Sequence, residues 1–178
     1  MKIETATIRR LRDALLKSGR RAEAVESPAY ETLARAGLLS DDEQAALTRV
    51  DPVAETMFLM MAADGKITDT ERDAVRGAIR GLTGSILHDG TIQVMLEAYQ
   101  RELDKEGREA RLRRVGELLA PHPSDAEGAF ALAAAIALAD DDVSSDEEDL
   151  VEQIAAWFGI GASRANQILD QLEEDKAT

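Results

Sequence analysis

The chain repeatedly places a helix-capping signal before apolar residues at helical spacing, and this pattern restricts what it can fold into. Ser or Thr followed three residues later by Glu forms a capping box, which begins an α-helix. This signal occurs at Ser40, Thr68, Ser124 and Ser144. Apolar residues recur three or four positions apart after the signals, and no segment alternates as a strand does. The sequence predicts an all-α fold, a compact helical bundle of about seven to nine helices.

The predicted helices begin at these signals and end near glycine or proline. Asp51 followed by Pro52 predicts an N-cap and a first helical residue, so a separate helix is expected to start at 52. The segment 129–139 is apolar on nearly all sides, which predicts the central buried helix. The predicted helices cover 3–17, 29–36, a segment from 40, 52–63, 68–82, 89 or 91 to 104, 108–120, a segment from 124 through 129–139, 144–158 and 162–174.

Composition excludes several classes of protein. With no cysteine, the chain has no disulfide framework, thiolate zinc site or cysteine nucleophile. The longest uncharged run is 128–139, which is too short to span a bilayer. The N-terminus has no apolar signal-peptide core, because charged residues interrupt residues 8–16. We therefore expect a cytoplasmic protein with no membrane span.

Charge is distributed unevenly along the chain. The net charge is −14, and residues 121–178 carry only Arg164 and Lys176 against fourteen acids. Such a field repels nucleic acid and favours cations or basic partners. Residues 1–21 differ, with seven basic and two acidic side chains. A short basic helix there is compatible with a solvated face, with contact to the chain's own acidic domain, or with an acidic partner, a phosphate or a membrane surface.

An internal repeat with an offset of 76 residues organises the larger part of the chain. Residues 59–71 resemble residues 135–147, with Asp64 matching Asp140 and Glu71 matching Glu147. A helical hairpin cannot bury its apolar face alone, so the repeat predicts two related hairpins that pack together. The prediction is a helical domain over 49–178 with residues 1–48 as an N-terminal helical extension.

Residues 61–71 contain an apolar helix end, Ala-Asp-Gly, a β-branched residue two positions on and a Glu four after that. This segment resembles the TerB-like family of tellurite-resistance and stress proteins. The segment 157–163 and the final helix are similar to the family's C-terminal end. The resemblance implies an all-helical domain with acidic loops, proposed to bind metal ions or to act as an interaction module. The same domain is similar to the N-terminal part of some membrane-anchored DnaJ-like co-chaperones.

The resemblance implies that the family's signature acids fall on Asp64, Glu71, Asp140 and Glu147. The chain departs from the family pattern at Asp141, where the second loop would prefer Gly. Asp tolerates a left-handed backbone, so the loop can still form, and the substitution adds negative charge.

The segment 140–149 holds seven carboxylates and no basic side chain. Asp140, Asp142, Ser144 and Asp146 alternate as oxygen ligands do, and hard cations such as Ca²⁺ or Mg²⁺ take such ligands. An EF-hand is excluded, because the sixth position from Asp140 is not Gly and the twelfth is not Glu. The alternative is structural: Ser144 and Glu147 form a capping box, and acids in a first helical turn complement the helix dipole.

The predicted metal ligands are therefore Asp140, Asp142, Asp146 and Glu147, with Asp64 and Glu71 as a related second site. In that second site Lys66 opposes a cation, and capping by Thr68 and Glu71 is again the structural alternative. No further cofactor is expected.

No residue set predicts a reaction. His88 and His122 are predicted turn or cap residues, and the chain contains neither a nucleophile elbow nor a glycine-rich phosphate loop. Three functions remain. The first is a non-enzymatic module that binds a divalent cation or a basic partner. The second is a protein–protein scaffold or adaptor, in which a homodimer is possible. The third and least favoured is a hydrolase that uses a carboxylate-bound metal.

Overall fold

The computed structural model describes residues 9–10, 12–13, 28–138 and 143–177, and in these ranges it contains helices and no strand. The all-α prediction is confirmed. Residues 9, 10, 12 and 13 are helical, and the rest of the predicted helix 3–17 lies outside the described residues. Eight helices follow: α1 Pro28–Arg35, α2 Asp41–Met61, α3 Asp69–Leu82, α4 Asp89–Glu106, α5 Arg108–Leu119, α6 Pro123–Ala137, α7 Ser145–Trp157 and α8 Ala162–Ala177.

Helices α2 and α6 form the centre of the bundle and pack extensively against each other. Every residue of α2 from 53 to 61 is buried, and so are most positions of α6. The many alanines of α6 let neighbouring backbones approach closely, which suits a core with few aromatic residues. The prediction of a buried helix at 129–139 is confirmed for residues 129–137, and Leu138 is the C-cap. The remaining helices surround this pair, with α3, α5 and α7 contacting α2, and α8 packing on α6.

The prediction that a new helix begins at Pro52 is wrong. Helix α2 runs without a break from Asp41 to Met61 and contains Pro52 in its interior. Proline removes one backbone hydrogen bond, but burial on both sides of it holds the helix together. Val50 and Val53 are buried, and the Oγ1 of Thr56 donates to the carbonyl of Pro52 at 2.8 Å. Tertiary packing therefore overrides the local signal for a new helix start at Asp51 and Pro52.

Three of the four predicted capping boxes are confirmed, at Ser40, Thr68 and Ser144. The fourth is wrong, because α6 begins at Pro123 with His122 as its N-cap. Glu127, the expected capping partner of Ser124, instead accepts two hydrogen bonds from the guanidinium of Arg164 in α8, at 2.7 and 3.0 Å. An ion pair between helices thus takes the carboxylate that a capping box would need.

No helix in the described part of the chain is long and apolar enough to cross a membrane. The pseudo-twofold relation between the two predicted hairpins, and the division of the chain at residue 48, stay predictions.

Candidate functional site

The segment between α2 and α3 holds its two predicted ligands in local hydrogen bonds. Asp64 Oδ1 accepts the backbone N–H of Lys66 at 2.8 Å. Glu71 Oε2 accepts both the backbone N–H and the hydroxyl of Thr68, each at 2.8 Å. These bonds close the turn and cap α3, so the structure gives Asp64 and Glu71 a structural role. Cation binding by these two residues stays a prediction.

The segment between α6 and α7 ends in the same capping arrangement, which begins α7. Glu147 Oε2 accepts the backbone N–H of Ser144 at 2.8 Å and its hydroxyl at 2.9 Å. Asp146 is exposed in the first turn of α7. Asp140 and Asp142, the other two predicted ligands, lie outside the described residues. The structure therefore confirms the capping box and places Asp146 beside it in sequence and at the surface.

Carboxylate oxygens are the donor type that Ca²⁺ and Mg²⁺ prefer, so the residues of both loops suit a hard cation chemically. Among the described residues, no three acidic or histidine side chains converge as a metal-binding group. The α2–α3 loop is fully described, and it brings no third such group to Asp64 and Glu71.

A buried charge network links α2, α4 and α5, and sequence reasoning missed it. The side chains of Arg111 and Glu55 are 3% and 4% exposed. Arg111 donates to both carboxylate oxygens of Glu55, with Nε–Oε1 at 2.7 Å and Nη2–Oε2 at 3.0 Å. Its Nη1 also donates to Oε2 of Glu106 at 2.9 Å. This bidentate geometry satisfies charges that would otherwise be costly to bury.

Burial and hydrogen bonding shift the pKa values of the network's side chains in opposite directions. Burial raises the pKa of Glu55, and the hydrogen bonds from Arg111 offset part of that rise. Glu106 lies nearer the surface, and its hydrogen bond from Arg111 lowers its pKa. Burial disfavours charge on Arg111, but the hydrogen bonds to Glu55 and Glu106 give a net rise in its pKa. The network therefore joins two carboxyl groups, one buried and one nearer the surface, through a single guanidinium.

A second buried polar pair lies one helical turn earlier on α2. The hydroxyl of Tyr99 in α4 donates to Asp51 Oδ1 at 2.7 Å, and both residues are buried. Burial raises the pKa of Tyr99, and the neighbouring Asp51 carboxylate raises it further. The Tyr99 ring also packs against Phe58, with ring centroids 5.8 Å apart. Asp51 and Glu55 thus fasten the inner face of α2 to α4 and α5.

Both acidic loops and the buried network fall within one family match. Residues 50–170, more than half of the chain, match the family described as tellurite resistance protein TerB. The chain belongs to the TerB family. Two further comparisons find no curated protein and no solved structure that matches it. The TerB match confirms the family resemblance that residues 61–71 and 157–163 predict.

The TerB match places the functional candidates relative to the domain. It begins inside α2, one residue before Asp51, and ends inside α8. Residues 1–49, including the basic N-terminal segment, lie outside it. His88 and His122 are the N-cap residues of α4 and α6, which confirms the prediction that they are turn or cap residues, and neither makes a side-chain cap hydrogen bond.

The sequence contains one signal that points to the buried charge network. Asp51 and Glu55 are four residues apart within an otherwise apolar stretch of α2. Acids at this spacing lie on the same face of a helix, and buried acids require partners. No comparable sequence signal marks Arg111, because 56 residues separate it from Glu55 and it is one of four arginines in α5.

Proposed function

We propose that the chain is a non-enzymatic TerB module of tellurite resistance or a related stress response in the cytoplasm. Its acidic segment between α6 and α7 binds a divalent cation, Ca²⁺ or Mg²⁺. Asp140, Asp142 and Asp146 supply carboxylate oxygens, and Glu147 caps α7 beside them. The same negative field attracts a basic partner, which is the second class of ligand that this surface suits.

One observation carries the proposal: a long acidic stretch with no basic side chain to neutralise it. Residues 128–163 contain no Lys, Arg or His. The next basic residue, Arg164, donates two hydrogen bonds to Glu127, so its charge is directed to that ion pair. The start of α7 exposes Asp146, Glu148 and Asp149, which follow the acids at 140–142 in the sequence. Concentrated carboxylates repel one another, and a divalent cation relieves that repulsion.

The α2–α3 loop supports a weaker version of the same site. Asp64 and Glu71 are engaged in turn and cap hydrogen bonds, and Lys66 adds a positive charge between them in sequence. In the α6–α7 loop the position that matches Lys66 is Asp142. We therefore assign the stronger cation binding to the α6–α7 loop.

Calorimetric titration of the metal-stripped protein with Ca²⁺ at physiological salt tests the proposal. We expect one saturable site with a dissociation constant between about 10⁻⁵ and 10⁻³ M. The Asp140→Asn/Asp142→Asn variant is expected to lose this heat while keeping its helical circular dichroism. The loss follows because two of the charged oxygen ligands become neutral.

A matched variant separates a specific site from general charge attraction. Asp41→Asn/Asp42→Asn also removes two negative charges, but from the exposed first turn of α2, directly after the equivalent N-cap Ser40. This control should titrate as the unmodified protein does. Equal weak heat in all three proteins would contradict a cation site and leave a scaffold without a metal as the better account.

A further inference from the structure

A surface groove lies between α6 and α8, and its described lining includes no residue of the two acidic loops or of the buried network. It has a volume of about 640 Å³. Its apolar part comes from Ala131 of α6 and from Ile168 and Leu172 of α8, all of them half-buried. Ile168 and Leu172 are one helical turn apart and lie on the same face of α8. The groove therefore offers an apolar strip that covers one turn of α8.

The protein walls of the groove are acidic. Apart from one N-terminal residue, four carboxylates and a single guanidinium line it. The carboxylates belong to Glu127, Asp170, Glu174 and Asp175, and the guanidinium belongs to Arg164. Arg164 is bound to Glu127, with Nη2 2.7 Å from Oε2, and four acids against this one arginine give the walls on α6 and α8 a net negative charge. A basic segment complements such a surface.

The N-terminal residue that lines the groove is Arg10. More than 110 residues of chain separate it from the nearest groove residue of α6, Ser124. Arg10 is helical, as are the neighbouring described residues 9, 12 and 13. It belongs to the segment 1–21, which carries seven basic and two acidic side chains. The most basic part of the sequence thus reaches the acidic C-terminal helix.

We propose that this groove is a binding site for a basic helical segment, and that its occupant is residues 3–17 of the same chain. Arg10 anchors the segment against the acidic edge of α8. The segment neutralises part of the negative charge of the C-terminal third and covers this face of α8.

The connection between the segment and the bundle permits this contact within one molecule. Residues 18–27 join the segment to α1. Ten extended residues span up to about 35 Å, which is comparable to the diameter of a domain of this size. A tethered segment also has an effective concentration in the millimolar range, so even a weak site is filled intramolecularly.

Cross-linking of the full chain tests the proposal, and the natural absence of cysteine makes it simple. In the Asp13→Cys/Gln171→Cys protein, one thiol lies a helical turn from Arg10 and the other lines the groove on α8. A short bismaleimide should join them within one molecule about tenfold faster than it joins Asp13→Cys/Thr70→Cys. Thr70 is exposed on α3, which packs on α2 and α4.

Charge reversal then isolates the anchor. Adding Arg10→Glu to the Asp13→Cys/Gln171→Cys protein should remove most of the rate advantage, and adding Arg12→Glu should leave most of it. High salt should slow the reaction of the parent pair, because exposed charges are screened. Equal rates for the two cysteine pairs would overturn the proposal. Cross-linked dimers in place of monomers would overturn it too, since the segment would then serve a second copy.

Discussion

Replacing Arg111 by methionine is expected to lower the free energy of unfolding by about 3–5 kcal/mol. Methionine fills much of the same volume but leaves the Glu55 carboxylate, 4% exposed, without its two hydrogen bonds. Breaking a buried ion pair on one side is costly because the other charge stays desolvated. Urea unfolding followed by circular dichroism measures the change.

Arg113→Met is the matched control on the same helix. Arg113 is exposed, pairs with Glu109 at 3.4 Å and lies over the Trp157 ring at 5.3 Å. Exposed pairs of this kind contribute about 1 kcal/mol or less. If the two variants lost the same stability, the buried network would have no special role in the fold.

The loss in Arg111→Met should depend on pH with a definite sign. Burial already raises the pKa of Glu55, and removal of Arg111 takes away the interaction that opposes the rise. A carboxyl group whose folded pKa exceeds its unfolded value stabilises the fold below the unfolded pKa, and this contribution is lost as the pH rises through the folded pKa. The deficit relative to the unmodified protein should therefore shrink as the pH is lowered from 7 towards about 4. A deficit that grows with acidity would contradict the assignment to Glu55.

Replacing Gly116 by alanine is expected to destabilise the protein by about 2 kcal/mol. A Cβ atom at Gly116 of α5 would lie 2.8 Å from the carbonyl oxygen of Trp157 in α7. The obstacle is backbone, so α5 and α7 must move apart instead of one side chain turning aside. Overpacking of this kind costs about 1–3 kcal/mol, which outweighs the helix propensity gained with alanine.

Gly77→Ala provides a control with the opposite sign. Gly77 is exposed inside α3, and a Cβ atom there would meet nothing within 4 Å. Alanine should raise the free energy of unfolding by about 0.5–1 kcal/mol through helix propensity alone. Both variants can be compared by thermal and urea unfolding. Stabilisation by both would mean that α5 and α7 are not in close contact at Gly116.

Features that depend on a few adjacent residues could be predicted from the sequence. The capping boxes at Ser40, Thr68 and Ser144 form because the Ser or Thr and its Glu partner are three residues apart. The buried α6 could be predicted because its apolar residues surround the helix. Features that depend on distant residues could not: Pro52 lies inside α2 because tertiary burial holds that helix, and Ser124 lacks its capping partner because Arg164 binds Glu127.

The candidate sites follow the same division. Asp146 and Glu147 could be selected from a local run of acids, but that run fits helix capping as well as cation binding, and local sequence does not separate the two. Glu55 and Arg111 are 56 residues apart in the sequence, and only the packing of α2 against α5 brings the two side chains together. The α6–α8 groove could not be predicted, because its lining brings Arg10 together with residues of α6 and α8 that are more than 110 positions away in the sequence.

The most direct test of the proposed function is the effect of Ca²⁺ on folding stability. A ligand that binds the folded state alone stabilises it by about 2.7 kcal/mol when its concentration is 100 times the dissociation constant. The unmodified protein and Asp41→Asn/Asp42→Asn should gain about this much in urea unfolding. Asp140→Asn/Asp142→Asn should gain almost nothing. Equal gains in the three proteins, or no gain in any, would contradict a cation site between α6 and α7.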